Sequence, residues 1–108
     1  MLLGMPLAKI LLKFRKNLVV NPYVEERIDA NSFYRIFSRE VVSEELIWHR
    51  DHCSRVITVI EGEGWFLQLD NQLPIEMKIG DVYQIPAHTY HRVKRGVSDL
   101  KIYIEELL

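Results

Sequence analysis

With 108 residues the chain holds one domain, 1–108, and one hydrophobic core. It is 48% hydrophobic and 27% charged with a formal net charge of −1, so it lacks the basic excess that binding a phosphate backbone requires, and nucleic acid is not an expected partner. The single cysteine, Cys53, cannot close an intrachain disulfide, so nothing demands an oxidising compartment and the cytoplasm is the expected location.

Met1 to Val20 contains apolar stretches, but Lys9, Lys13, Arg15 and Lys16 interrupt them. No run approaches the roughly 20 apolar residues of a membrane span. The charges fall inside and after the apolar region, whereas a signal peptide places them before it. Leu7, Ile10, Leu11, Phe14 and Leu18 recur at helical spacing, and Pro6 suits a first turn. The spacing predicts an amphipathic helix over about 6–17. Such a helix packs on its own domain or on a second subunit far more often than on a membrane.

After Asn21-Pro22 the helical spacing gives way to short alternating runs. Phe33, Arg35, Phe37 and Arg39 alternate with Tyr34, Ile36, Ser38 and Glu40, and Leu46 to Asp51 continues in that style. Arg55 to Glu61 is rich in β-branched residues and ends at the turn Gly62-Glu63-Gly64. Trp65–Leu69, Ile75–Ile79, Val82–Ile85, Tyr90–Val93 and Leu100–Ile104 follow, each closed by turn residues. Many short strands at this spacing predict an all-β sandwich or barrel over about 33–106, without repeat or linker.

Four histidines occur, His49, His52, His88 and His91. Strand side chains alternate with period two, so Ile47, His49 and Asp51 share one face while Trp48, Arg50 and His52 share the other. His49 and Asp51 thus aim an imidazole and a carboxylate at one point. A third ligand has to come from a distant strand, and His91 is the candidate.

The stretch from Ser43 to Lys101 resembles the cupins. Their first motif, G-x5-H-x-H-x3/4-E-x6-G, is met with every spacing kept by Ser43, His49, Asp51, Arg55 and Gly62. Their second, G-x5-P-x-G-x2-H-x3-N, is met by Gly80, Pro86, His88, His91 and Arg95. The resemblance implies a single-domain antiparallel barrel (a double-stranded β-helix, or jelly roll) whose open end holds a small-molecule site. It also implies one divalent metal, Fe, Mn, Ni or Zn, on His49, Asp51 and His91, with His52 as a spare ligand. Two histidines and a carboxylate form the facial triad of non-heme Fe(II) sites. His-x-Asp with a later histidine is similar to the ligand pattern of 2-oxoglutarate-dependent oxygenases. An oxygenase or an isomerase is then the expected activity, and a homodimer the expected assembly.

Arg55 stands where cupins place a glutamate ligand. A guanidinium about 4 Å from another unit positive charge costs roughly 4 kcal/mol at an effective dielectric near 20, and a divalent ion makes that worse. Arg55 either pairs with Asp51 in a metal-free site, or turns aside, or holds an anionic substrate bidentately beside the metal. His88 and Tyr90, near the second motif, are the other candidate substrate contacts. Two rival readings stay open. One is a metal-free cupin resembling sugar-nucleotide epimerases and ketoisomerases, with His49 and Asp51 as general base and Arg50, Arg55 and Arg92 on phosphates. The other is a non-catalytic binding or sensor domain, since fold does not fix function.

Overall fold

A computed structural model describes residues 22–108. The helix expected at about 6–17 lies outside the described residues. Eight strands follow one another: β1 (Tyr23–Arg27), β2 (Ser32–Phe37), β3 (Ser54–Glu61), β4 (Phe66–Leu69), β5 (Ile75–Glu76), β6 (Val82–Ile85), β7 (His91–Lys94) and β8 (Leu100–Leu107). They form a five-stranded sheet in the order β1-β2-β8-β3-β6 and a three-stranded sheet in the order β5-β4-β7. Every pairing is antiparallel.

Period-two alternation builds the core. On β3 the buried residues are Arg55, Ile57 and Val59, and on β8 they are Leu100, Ile102 and Ile104. Phe33 and Phe37 come from β2, and Val41, Leu46, Trp65, Leu67, Met77 and Ile85 complete the apolar cluster. Each such side chain contributes about 1.5–3 kcal/mol by leaving water. Trp65 is fully buried, and its indole N–H donates to the Ser98 carbonyl at 2.8 Å, so its one polar atom is satisfied. Among the described residues no helix is long and apolar enough to cross a membrane.

Several stretches differ from the sequence reading, and the strand read through Glu40 ends at Phe37, with Arg39 and Glu40 in a turn. Leu46–Asp51 is not a laddered strand: a 3-10 turn at Ser43–Glu45 precedes it, and only His49 pairs, in an isolated bridge to His91. The segment meets β7 only at that strand's first residue, His91, although β7 is the outer strand of its sheet. Ile75–Ile79 shortens to the two residues of β5, with Met77 turned into the core. Strand β1 lies upstream of the expected barrel start and pairs with Phe33–Phe37 of β2.

Candidate metal centre

The bridge between His49 and His91 is made by backbone atoms alone. His49 N–H donates to the His91 carbonyl at 3.0 Å, and His91 N–H donates back at 2.9 Å. That pairing sets the two imidazoles side by side with ring centroids 4.3 Å apart. Asp51 follows two residues later in extended chain and points the same way. Its carbonyl accepts from the backbone N–H of His88 at 2.7 Å, which ties the segment to the turn before β7. Ile47, His49 and Asp51 all line one cavity, whereas Trp48, Arg50 and His52 do not. The period-two expectation therefore describes this segment even without a ladder.

One ligand atom from each of His49, Asp51 and His91 falls within 4.8 Å of the other two. His91 is buried, Asp51 is half-buried and His49 is the most exposed. Both imidazoles are oriented through Nδ1. In His49 it lies 3.2 Å from the Ile47 carbonyl, and in His91 it lies 2.8 Å from the Thr89 carbonyl. A carbonyl only accepts, so each Nδ1 carries a proton, and in the neutral ring Nε2 then keeps its lone pair. Metal-binding histidines are oriented by this same arrangement. Burial also pushes the His49 pKa down, reinforced by the His91 and Arg35 charges against the opposing pull of the Ile47 carbonyl and Asp51. A lowered pKa favours the neutral imidazole that a metal ligand has to be.

Asp51 Oδ2 is buried and makes no well-formed hydrogen bond among the described residues. His91 Nε2 stands 3.4 Å away, long for such a bond, and Arg55 Nη1 stands 3.1 Å away as an ion pair. Burial works to raise the Asp51 pKa, but His91 and the Arg55 charge outweigh it and hold the carboxyl below its usual range. A charged, buried oxygen with unused acceptor capacity, facing two free imidazole nitrogens, fits a divalent cation.

Arg55 is engaged on its other side by Glu106, which accepts from Nη2 at 2.8 Å and Nε at 3.2 Å through one oxygen. That bond depresses the Glu106 pKa. Two carboxylates thus surround one guanidinium, and the cluster of Asp51, Arg55 and Glu106 is net negative. The repulsion expected between Arg55 and a metal is offset by its partners. With both carboxylates on it, Arg55 has little capacity left for a substrate anion.

The cavity beside the three ligands measures about 340 Å³. Ile57, Leu67, Met77, Val93, Ile102 and Ile104 make its apolar wall, and Arg35 and Tyr23 line it as well. His52, His88 and Tyr90 are exposed and lie outside this lining. Arg50 rests over the Tyr90 ring at 5.3 Å, and Arg92 over Trp48 at 4.7 Å, so neither enters the cavity. Cys53 Sγ approaches Glu106 at 3.5 Å on the far side of Arg55, and burial with that carboxylate raises its thiol pKa. Sequence reasoning missed Arg35, Glu106 and Tyr23 as site residues. For Arg35 a signal existed: it shares a strand face with Phe33 and Phe37, and a charge on a core face asks for a reason.

No family model matches the sequence, and no curated protein matches it either. Solved structures do match. An RmlC-like cupin family protein with a double-stranded β-helix fold from Methanocaldococcus jannaschii superposes with a TM-score of 0.62 at 18% identity, over 81% of each chain. A cupin-2 domain containing protein from Shewanella frigidimarina gives 0.58 at 20% identity, over 96% of this chain and 100% of that one. A structure from work on the DMSP lyases RdDddP and RnDddQII gives 0.61 at 13% identity, and there this chain covers 69% of itself but 36% of the other. The chain has the cupin fold.

Proposed function

We propose that this cupin-fold chain binds one divalent metal ion through His49, Asp51 and His91 and acts on a small molecule held in the adjoining cavity. The observation that carries the reading is the convergence of the three donors within 4.8 Å, with both Nδ1 atoms already committed to backbone carbonyls. Two imidazoles and one carboxylate suit Fe, Mn, Ni or Zn. Such an ion supplies Lewis acidity, or redox chemistry in the case of iron, with coordination positions left open for a substrate. The chain's own part is to orient: Ile47 and Thr89 carbonyls fix the rings, and His91 with the Arg55 guanidinium holds Asp51 ionised. The apolar wall excludes water and gives a small organic body its contact surface. An oxygenase or isomerase activity fits this arrangement. The comparison protein described through DMSP lyases supports small-molecule chemistry on such a barrel. A homodimer in the cytoplasm completes the proposal.

The metal-free alternative draws on the 3.4 Å approach of His91 Nε2 to Asp51. For a neutral ring the Nδ1 proton is already given to Thr89, so Nε2 has none to donate to the carboxylate. That favours the metal reading. Elemental analysis of protein purified without a metal column, followed by Mn(II) and Fe(II) titration, tests it. One equivalent of metal that His49→Ala and His91→Ala fail to hold is the expected result. A wild-type protein that stays metal-free after metal is added back sinks the proposal.

A further inference from the structure

Arg35 is a charged residue in the core face of β2, between Phe33 and Phe37. Its side chain is only 12% exposed, and it lines the same cavity as His49, Asp51 and His91. A guanidinium withdrawn from water to that extent is costly unless its donors are used. Nε is used, donating to Glu25 Oε2 at 2.7 Å. Glu25 is the direct partner of Arg35 across the β1–β2 ladder, so strand register builds the pair. The guanidinium also lies over the Tyr23 ring, 3.9 Å from its centroid, with the Phe33 ring 5.3 Å away. Packing and one ion pair therefore fix its plane. Nη1 and Nη2 have no protein partner among the described residues. Arg55, by contrast, spends its donors on two carboxylates.

We propose that Arg35 is the specificity-determining group of this cavity, holding the carboxylate of a small organic acid on its Nη1–Nη2 edge while the apolar wall takes the hydrocarbon body. The inference rests on the metal reading above for which reaction follows, but not for the binding itself. A guanidinium edge matches a carboxylate with two parallel N–H···O bonds. One of its five donors and part of its charge already belong to Glu25, so a single negative charge is the better match than a phosphate dianion. Asp51 in the same cavity penalises the dianion further.

The test titrates a panel of two- to six-carbon acids, both simple and 2-oxo, against wild-type protein with and without Mn(II). Each acid is compared with its amide and with the corresponding alkyl phosphate, by ligand-observed NMR. At least one acid is expected to bind about ten- to a hundredfold tighter than its amide, as loss of a charge-assisted bond predicts. Arg35→Met keeps the stem's length and should erase that preference. Its Mn(II) affinity should not fall, because removing a cation near the site does not repel a cation. Arg35→Lys, which keeps the charge and loses the fork, should fall between the two and stands in if Arg35→Met does not fold. Acids and amides bound equally by the wild type, a preference for the phosphates, or a preference that survives in the folded variants would each overturn the proposal. If Mn(II) does not bind but the Arg35-dependent preference holds, the metal reading fails and this one stands.

Discussion

Arg55 and Glu106 sit directly opposite each other across the β3–β8 ladder and are joined by two contacts to a single carboxylate oxygen, at 2.8 and 3.2 Å. Asp51 closes on the same guanidinium at 3.1 Å. All three side chains are largely withdrawn from solvent, so breaking the cluster from its centre leaves two carboxylates facing each other. Arg55→Met should destabilise the metal-free protein by about 3–5 kcal/mol, the usual cost of removing one partner from a buried pair. Adding Glu106→Met should recover much of that loss, because an apolar pair replaces an uncompensated charge. Urea denaturation of both variants checks this. A single variant as stable as the wild type would show that the cluster does not hold the barrel together.

The metal ligands should behave differently from a structural pair. His49 and His91 are linked by backbone bonds that survive truncation of either ring. His49→Ala and His91→Ala should therefore still unfold cooperatively. Metal affinity should drop by more than the roughly 10- to 100-fold that follows loss of a supporting outer contact. Calorimetric titration with Mn(II) reads both variants, and full occupancy in either would remove that residue from the ligand set.

Much of this arrangement is written locally. Ile57 and Val59 on β3 and Ile102 and Ile104 on β8 alternate because each strand has one buried face, and that pattern is visible without a structure. The same period put His49 and Asp51 on one side even though their segment forms no ladder. His91 was reached through motif spacing, since its meeting with His49 is a tertiary event 42 positions away in the chain. The partners of Arg55 and Arg35 were not legible. Glu106 is 51 residues from Arg55 and Glu25 is 10 from Arg35, and both pairings are fixed by strand register rather than by any local pattern. Strand β1 hid for a related reason: as an edge strand with three exposed residues in five it has almost no alternation to read.

Gly96 offers a test of how tightly the closing turn is packed. A Cβ there would fall onto the Glu63 carbonyl oxygen, 2.5 Å from Trp65 Cδ1 and 2.6 Å from the Gly64 carbonyl carbon. Neither backbone group yields easily, and Trp65 is fully buried. Gly96→Ala should cost about 1–3 kcal/mol or more, the range for overpacking a filled interior. Thermal and urea unfolding measure it. An Ala variant with unchanged stability would mean that the turn relaxes away from β4.

Acid should unfold the metal-free protein in two stages, and the order follows from the signs of the shifts. Burial first of all lowers the His49 pKa beneath its ordinary 6.5. Just below pH 6.5 the unfolded chain therefore binds a proton that the folded chain refuses, and stability falls as pH drops through that window. The Arg55 bond lowers Glu106 beneath its ordinary 4.5. Asp51 ends below its ordinary 3.8, because His91 and Arg55 overcome the opposing effect of burial. These two contributions are fully present above about pH 4.5 and are lost as pH falls through the depressed folded values. Urea midpoints measured in chelator from pH 8 to pH 3 should accordingly decline first below 6.5 and then more steeply below about 4.5. His49→Gln should flatten the upper stage and leave the lower one, whereas Glu106→Gln should weaken the lower one. Mn(II) should raise the midpoints most at neutral pH, where it does not compete with a proton for the imidazoles. Stability that is constant or rises between pH 7 and pH 5 in the chelated wild type would contradict the depressed His49.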